Sequence, residues 1–333
     1  MTTFLATLSP LLTLFFCMAV GFAANKTKIL PDSTGKVLAK LENWVFVPAL
    51  CFVTMMRYCT PELVTVHATN VSLSAIGALV AVGMAIPLSC LFVKKAGMER
   101  GVYAYGLAVA NSGYMGDPIV QALFGDEVLA YYKLFCLPIY LVIYTWGISV
   151  LTPAEESGRR PFLQALRRLL NPPTISIFAG IFMGLTGWGQ YLPTFFLSSL
   201  DSLKMCMGPV GMLLAGFTIA RYRLGSMLKN TKVYVVTLLR LTALPAVIIS
   251  VLLLVKTLAE SAFGISIGHD VLFLCFFATA TPLGLNTVIF PEAYNGSPET
   301  GAGMTMISHT LCVLTIPLLY TLMVSLFGVP FGG

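Results

Sequence analysis

An asparagine, two glycines, an aspartate and a proline fall within eight residues, Asn111-Ser112-Gly113-Tyr114-Met115-Gly116-Asp117-Pro118. They interrupt an apolar run that extends from Gly101 to about Phe124. A second group, Thr281-Pro282-Leu283-Gly284-Leu285-Asn286, interrupts the run from Asp270 to Pro291. Amides, hydroxyls and a lone carboxylate at this density supply hydrogen bonds and one exchangeable charge. Glycine and proline break a helix, and backbone groups freed in hydrocarbon must find partners. Such a break is tolerated where it is buried in protein or lines a cavity. Asp117-Pro118 and Thr281-Pro282 each put an N-cap residue before a proline, so each is expected to start a new half-helix. The upstream half-helices are expected to end near Gly113 and Ala280. Each N-terminus carries free N–H groups and roughly half a positive charge. Two of them facing one cavity suit an anion such as a carboxylate. The candidate binding residues are Asn111, Ser112, Gly113, Gly116, Asp117, Thr281, Pro282 and Asn286. Asn43, an amide inside another apolar run, joins them because it needs a buried partner.

The rest of the chain supports these breaks. Of 333 residues, 57% are hydrophobic and 10% charged, with a mean hydropathy of +0.86. A soluble domain carries about a quarter charged residues. This composition implies an all-α integral membrane protein, with room for about ten helices at about 20 residues each. No segment alternates like a barrel strand. The net charge of +6 sits in short loops, where topology explains it without nucleic acid. The eight cysteines show no CxxC spacing and no nearby histidine pair. They read as packed thiols, with neither disulfide nor metal site. The first apolar run lacks a basic n-region and an A-x-A-like site, so it is expected to be retained.

Taken in order, the expected spans are Phe4 to Ala24, Val37 to Met56, Val71 to Val93, Gly101 to Phe124, Val128 to Leu151, Thr174 to Trp188, Phe196 to Ala220, Val233 to Val255, Asp270 to Pro291 and Gly301 to Phe327. The long connection 152–173 holds Arg159, Arg160, Arg167 and Arg168, with a surface helix expected over Phe162 to Leu170. It divides the chain into halves, 1–151 and 174–333. Of the 20 basic residues, 14 fall in alternate loops. By the positive-inside rule both termini are extracytoplasmic, in the plasma or inner membrane.

Five spans is an odd number, so two such halves insert in opposite orientations as inverted repeats. Pro48 and Pro118 are 70 residues apart, and Pro209 and Pro282 are 73 apart. Both pairs fall in the second and fourth spans of their half.

Ala110 to Pro118, followed by Leu123-Phe124-Gly125, resembles the N-x-G-x-x-G-x-P signature of the auxin efflux carrier family. That family includes the plant PIN proteins and bacterial transporters assigned to malonate or malate. Pro282 with Val288-Ile289-Phe290-Pro291-Glu292-Ala293-Tyr294-Asn295 is similar to the family's ninth span, and Pro48-Ala49-Leu50 to its second. The resemblance implies an elevator-type carrier on the fold shared with sodium/proton antiporters and bile-acid transporters. Spans 1, 2, 6 and 7 would form a scaffold, and spans 3–5 and 8–10 a transport domain. An organic anion would bind where broken spans 4 and 9 cross, with Asn111 and Pro118 on one side and Pro282 and Asn286 on the other. The implied partners are a small carboxylate and the bilayer, with a second copy as a possible homodimer. No cofactor is implied beyond a coupling proton or sodium ion.

Asp117 departs from the family, whose members usually carry an apolar residue before the motif proline. It reads as a helix cap or as the residue that binds a coupling cation. Span 3 carries no charge, so the charged pair of plant members has no counterpart here. Asp201 and Lys204, at i,i+3, are expected to pair. Lys133 and Arg240 lie within snorkelling reach of an interface. His309 reads as a hydrogen-bonded packing residue. An intramembrane aspartyl protease is the enzyme to exclude. Gly113-Tyr114-Met115-Gly116-Asp117 has one residue too many for G-x-G-D, and Pro48-Ala49-Leu50 precedes the aspartate instead of following it. A second deep aspartate is missing, and no HExxH is present. A non-enzymatic sensor on the same scaffold is the alternative to a carrier.

Overall fold

The computed structural model describes residues 2–152, 170–222, 229–264, 266–294 and 298–331. The linker arginines, the expected surface helix up to residue 169, and Asn295 lie outside the described residues. Within them the chain is helical, and its only β contact is a single bridge.

Helix α1 is Thr2–Lys26 and α2 is Thr34–Tyr58. Ala68–Phe92 forms α3 and Met98–Ala108 forms α4. After a break, α5 covers 112–124 and ends at Gly125, whose φ of 82° only glycine adopts freely. Glu127–Leu151 is α6, Pro172–Thr186 is α7, and Thr194–Arg221 is α8. Thr231–Phe263 is α9, eight residues longer at its end than expected. Asp270–Thr279 is α10, Asn286–Ala293 is α11, and Glu299–Phe327 is α12. Among the described residues, α2, α3, α6, α8, α9 and α12 are long and apolar enough to cross a membrane. Leu11–Lys26 of α1, together with α7 and α10, are shorter apolar helices. Large apolar side chains such as Phe16, Phe178, Leu254 and Leu318 point outward, the surface that lipid covers.

Prolines shape three helices inside these runs. A proline ring clashes with the carbonyl four residues back and removes a hydrogen bond. Widened π-helical turns absorb that conflict. Glu42–Phe46 ends two residues before Pro48, Ser112–Gly116 two before Pro118, and Leu239–Ala243 two before Pro245. Each turn contains the carbonyl its proline would strike. A fourth such turn, Ile143–Gly147, has no proline after it.

Small residues let two helix pairs approach to backbone contact. A Cβ added at Gly21 would lie 2.0 Å from the Leu213 carbonyl oxygen, and one at Gly216 would lie 1.9 Å from that of Met18. This locks α1 against α8. A Cβ at Gly180 would lie 2.6 Å from the Phe52 oxygen, and one at Gly184 would lie 2.9 Å from that of Met55. Glycines four residues apart thus seat α7 against α2.

Candidate functional site

The two breaks meet. Residues 109–111 and 282–284 run antiparallel outside the helices, with Ala110 bridged to Leu283. The Asn111 N–H donates to the Pro282 carbonyl at 2.8 Å, and the Gly284 N–H donates to the Val109 carbonyl at 3.0 Å. Each break satisfies backbone groups that the other helix lost, as a non-helical segment in hydrocarbon requires. The Leu283 N–H reaches the Ser308 hydroxyl at 3.4 Å.

Four helix ends converge here. Helices α4 and α10 arrive with their C-termini, and α5 and α11 leave with their N-termini. Arg240, in the π turn of α9, is fully buried and answers both arriving ends. Its guanidinium donates to the Leu107 carbonyl at 3.3 Å and to the Thr279 carbonyl at 2.5 Å. These are free carbonyls at the negative ends of two helix dipoles, where a cation is stabilising. Arg240 therefore does not snorkel. It is fully buried in the protein, and the crossing offers its charge two carbonyl acceptors.

The departing ends differ from expectation. The α-helical path of α5 does take up at Asp117 with Pro118 in its first turn, but a π turn precedes it. The half-helix opens at Ser112, with Asn111 in the cap position, and α4 has already ended at Ala108. Asp117 is inside the helix and makes no side-chain cap bond. It pairs instead with Lys133 of α6. Lys133 is buried, lies 3.4 Å from the Tyr140 hydroxyl, and does not snorkel. In the second break Thr281-Pro282 lies outside any helix, and α11 resumes only at Asn286. Thr281 is therefore not an N-cap either. The proline remains outside the helix because its carbonyl serves the bridge.

Of the candidate residues, Asn111, Ser112, Pro282 and Asn286 are brought together at the crossing. Asn111 donates through Nδ2 to His309 Nε2 at 3.1 Å. His309 Nδ1 faces the Thr305 carbonyl at 2.8 Å, so it carries the proton and Nε2 accepts. That fixes which way the Asn111 amide points. Asn286 Nδ2 donates to the Tyr105 hydroxyl at 3.0 Å. Asn111 Oδ1, Ser112 Oγ, Thr281 Oγ1 and Asn286 Oδ1 are buried with no hydrogen-bond partner. Gly116 is held by Tyr132, whose hydroxyl donates to the Ser112 carbonyl at 3.1 Å and would lie 2.2 Å from an added Cβ. Gly113 faces open space, with its nearest neighbours, Met207 and Tyr140, 3.9 and 4.0 Å from an added Cβ. Asn43 does not reach the breaks and donates to the Tyr294 hydroxyl at 2.5 Å, at the far end of α11.

Several contributors escaped the sequence reading. Tyr105, Tyr114, Tyr132 and Glu42 were not among the candidate residues, although Tyr114 lies inside the first break and Glu42 next to Asn43. The proline two residues beyond each π turn was the available signal for Glu42 and Arg240. The expected Asp201–Lys204 pair is long, at 3.9 Å, because Asp201 turns to Arg57 at 2.5 Å.

Apolar helices, two of them broken and crossed over a knot of unpartnered amide and hydroxyl oxygens, are the build of a membrane transport protein. The family model so described matches residues 6–320, and the chain belongs to this family, that of the auxin efflux carriers. It is a family of transporters, not of enzymes. An uncharacterized transporter of Methanocaldococcus jannaschii is 24% identical over 223 residues, which is 63% of this chain and 68% of that relative.

Proposed function

We propose that this chain is a secondary carrier for small organic anions, mono- or dicarboxylates, bound where α5 and α11 begin. The observation that carries the reading is the pair of half-helix N-termini brought to one antiparallel bridge beside four unpartnered polar atoms. Their free amides and positive dipole ends favour a carboxylate. The Ser112 and Thr281 hydroxyls can donate to it as well. The Asn111 and Asn286 carbonyl oxygens accept, which suits a substrate with a hydroxyl or a second, protonated carboxyl.

The architecture we infer is ten spans in two inverted five-span repeats, with both termini extracytoplasmic. The tight pairs support it. Exchanging the first and second repeats turns the α1–α8 contact into the α7–α2 contact, and both are made through glycine. Helices α1, α2, α7 and α8 would form the scaffold of an elevator, and a second copy could dock on it. Asp117 is the coupling candidate through Lys133. Neutralising the carboxylate frees an ammonium two helical turns or fewer from the crossing, where an anion would meet it.

The test is uptake of radiolabelled malonate, malate and lactate into liposomes holding the purified protein, with and without pH and sodium gradients. Uptake of at least one acid is expected. No movement of any of them sinks the reading. For Asp117→Asn, unchanged uptake and ion dependence would make the ion pair structural only.

A further inference from the structure

Glu42 is the carboxylate that the crossing does not explain. It is 0% exposed, in the π turn of α2, and its Oε2 accepts from the Tyr114 hydroxyl at 3.2 Å. Its Oε1 has no partner, and neither does the Asn43 Oδ1 beside it. Other carboxylates of the helical core hold a cation: Asp117 pairs with Lys133, and Glu292 with Arg221.

The groups on the elements packed around this turn leave Glu42 without a cation of its own. Helix α8 brings Arg221, paired with Glu292 of α11, and Asp201 and Lys204, gathered around Arg57 at the far end of α2. Helix α7 carries no charged residue. Helix α6 brings Lys133, occupied by Asp117, and Tyr144, which faces Glu42 alongside Tyr114. On α2 itself Lys36 and Lys40 are exposed. An ionised carboxylate buried against one neutral donor is costly and is tolerated only when neutralised.

The Glu42–Tyr114 bond also spans a boundary. Helix α2 is seated on α7, whereas Tyr114 belongs to the broken helix. In the carrier reading, on which this inference rests, one side stays and the other slides. A bare charge at a sliding apolar boundary would hold it still.

We propose that Glu42 is a proton-binding site, with its carboxyl protonated while Tyr114 lies against it. When the crossing moves away and water enters, the carboxyl O–H bond breaks. The proton goes to water on the open side, and the carboxylate regains a proton before Tyr114 returns. Access alternates between the two sides, so the exchange ties proton movement to the cycle of the crossing.

Infrared difference spectra of the purified protein in lipid, titrated from acidic to alkaline buffer, test this with the proton itself as the probe. A buried protonated-carboxyl band is expected in the wild type. It should vanish in Glu42→Gln, shift in frequency in Tyr114→Phe, and persist in Asp117→Asn. The Tyr114→Phe spectrum decides the matter if Glu42→Gln does not fold, because that variant keeps the carboxyl and removes only its donor. No such band in the wild type, or an unaltered band in both Glu42→Gln and Tyr114→Phe, overturns the proposal. So does loss of the band on adding sodium at constant pH, which would make sodium the ion. In the liposome assay, malonate uptake should change by up to about tenfold per pH unit in the wild type. That dependence should survive in Glu42→Asp and flatten in Glu42→Gln. Failure of every acid to move would strike the carrier reading and leave the infrared result to judge Glu42.

Discussion

The two breaks make the same bridge by different means. The first is short and crowded. Three non-helical residues are followed at once by a π turn, and the half-helix carries an aspartate that a lysine from α6 neutralises. The second is longer and uncharged, with Ala280 to Leu285 outside any helix and no ionisable side chain among them. Backbone pairing needs only the bridged residues, so the crossing itself does not require the charge. The asymmetry therefore assigns the shared geometry to the bridge and the charge chemistry to the first break alone. Arg240 is the one group that treats both breaks alike, since it caps the helix that arrives at each.

That division can be broken in several ways. Arg240→Met should have the largest effect, because it strips the cation from two buried helix ends. Two buried carbonyls would be stranded, at about 1–3 kcal/mol each, read as a large drop in thermal stability in detergent. If Arg240→Met melts like the wild type, the two breaks are not held by a common cap. Next comes Asp117→Asn, which leaves Lys133 buried and unpaired and should cost about 3 kcal/mol. The double variant with Lys133→Met should recover most of that loss, and a double variant no more stable than the single one would show that the pair is not an isolated unit. Gly116→Ala forces a methyl against the Tyr132 hydroxyl and should cost about 1–3 kcal/mol, with partial rescue by Tyr132→Phe. The smallest effects separate the two asparagines. Asn111→Ala and Asn286→Ala each strand one partner, His309 or Tyr105, at about 1–3 kcal/mol. If the crossing is the binding site, both should also weaken carboxylate-induced thermal stabilisation. A variant that loses stability but keeps full ligand response would remove its asparagine from the site.

Much of this was legible in the sequence for a physical reason. Glycine, proline and asparagine inside an apolar run are costly in a lipid-facing helix, so Asn111 to Pro118 and Thr281 to Asn286 marked themselves. Where each half-helix begins was less legible. The N-cap rule places a start at Asp117 and Thr281, but the bridge competes for the same residues. It holds Pro282 outside the helix and leaves Asn111 as the cap. Partners far apart in sequence were illegible. Lys133 and Arg240 looked like interfacial cations because local position says nothing of Asp117 opposite one, or of Leu107 and Thr279 opposite the other. Glu42 was hidden similarly, since nothing near it in sequence points to Tyr114, 72 residues on.

The widened turns carry a further consequence for helical phase. An α-helix advances about 100° per residue, so a turn that accommodates one extra residue rotates everything downstream by about that angle. If the five residues from Glu42 to Phe46 closed into ordinary α-helix with none removed, everything after them would turn by that angle. The face of Pro48 to Tyr58 that now meets α7 would swing about a quarter-turn away from Gly180 and Gly184. The turn that buries Glu42 thus also sets the rotational register by which the second half of α2 finds its neighbour.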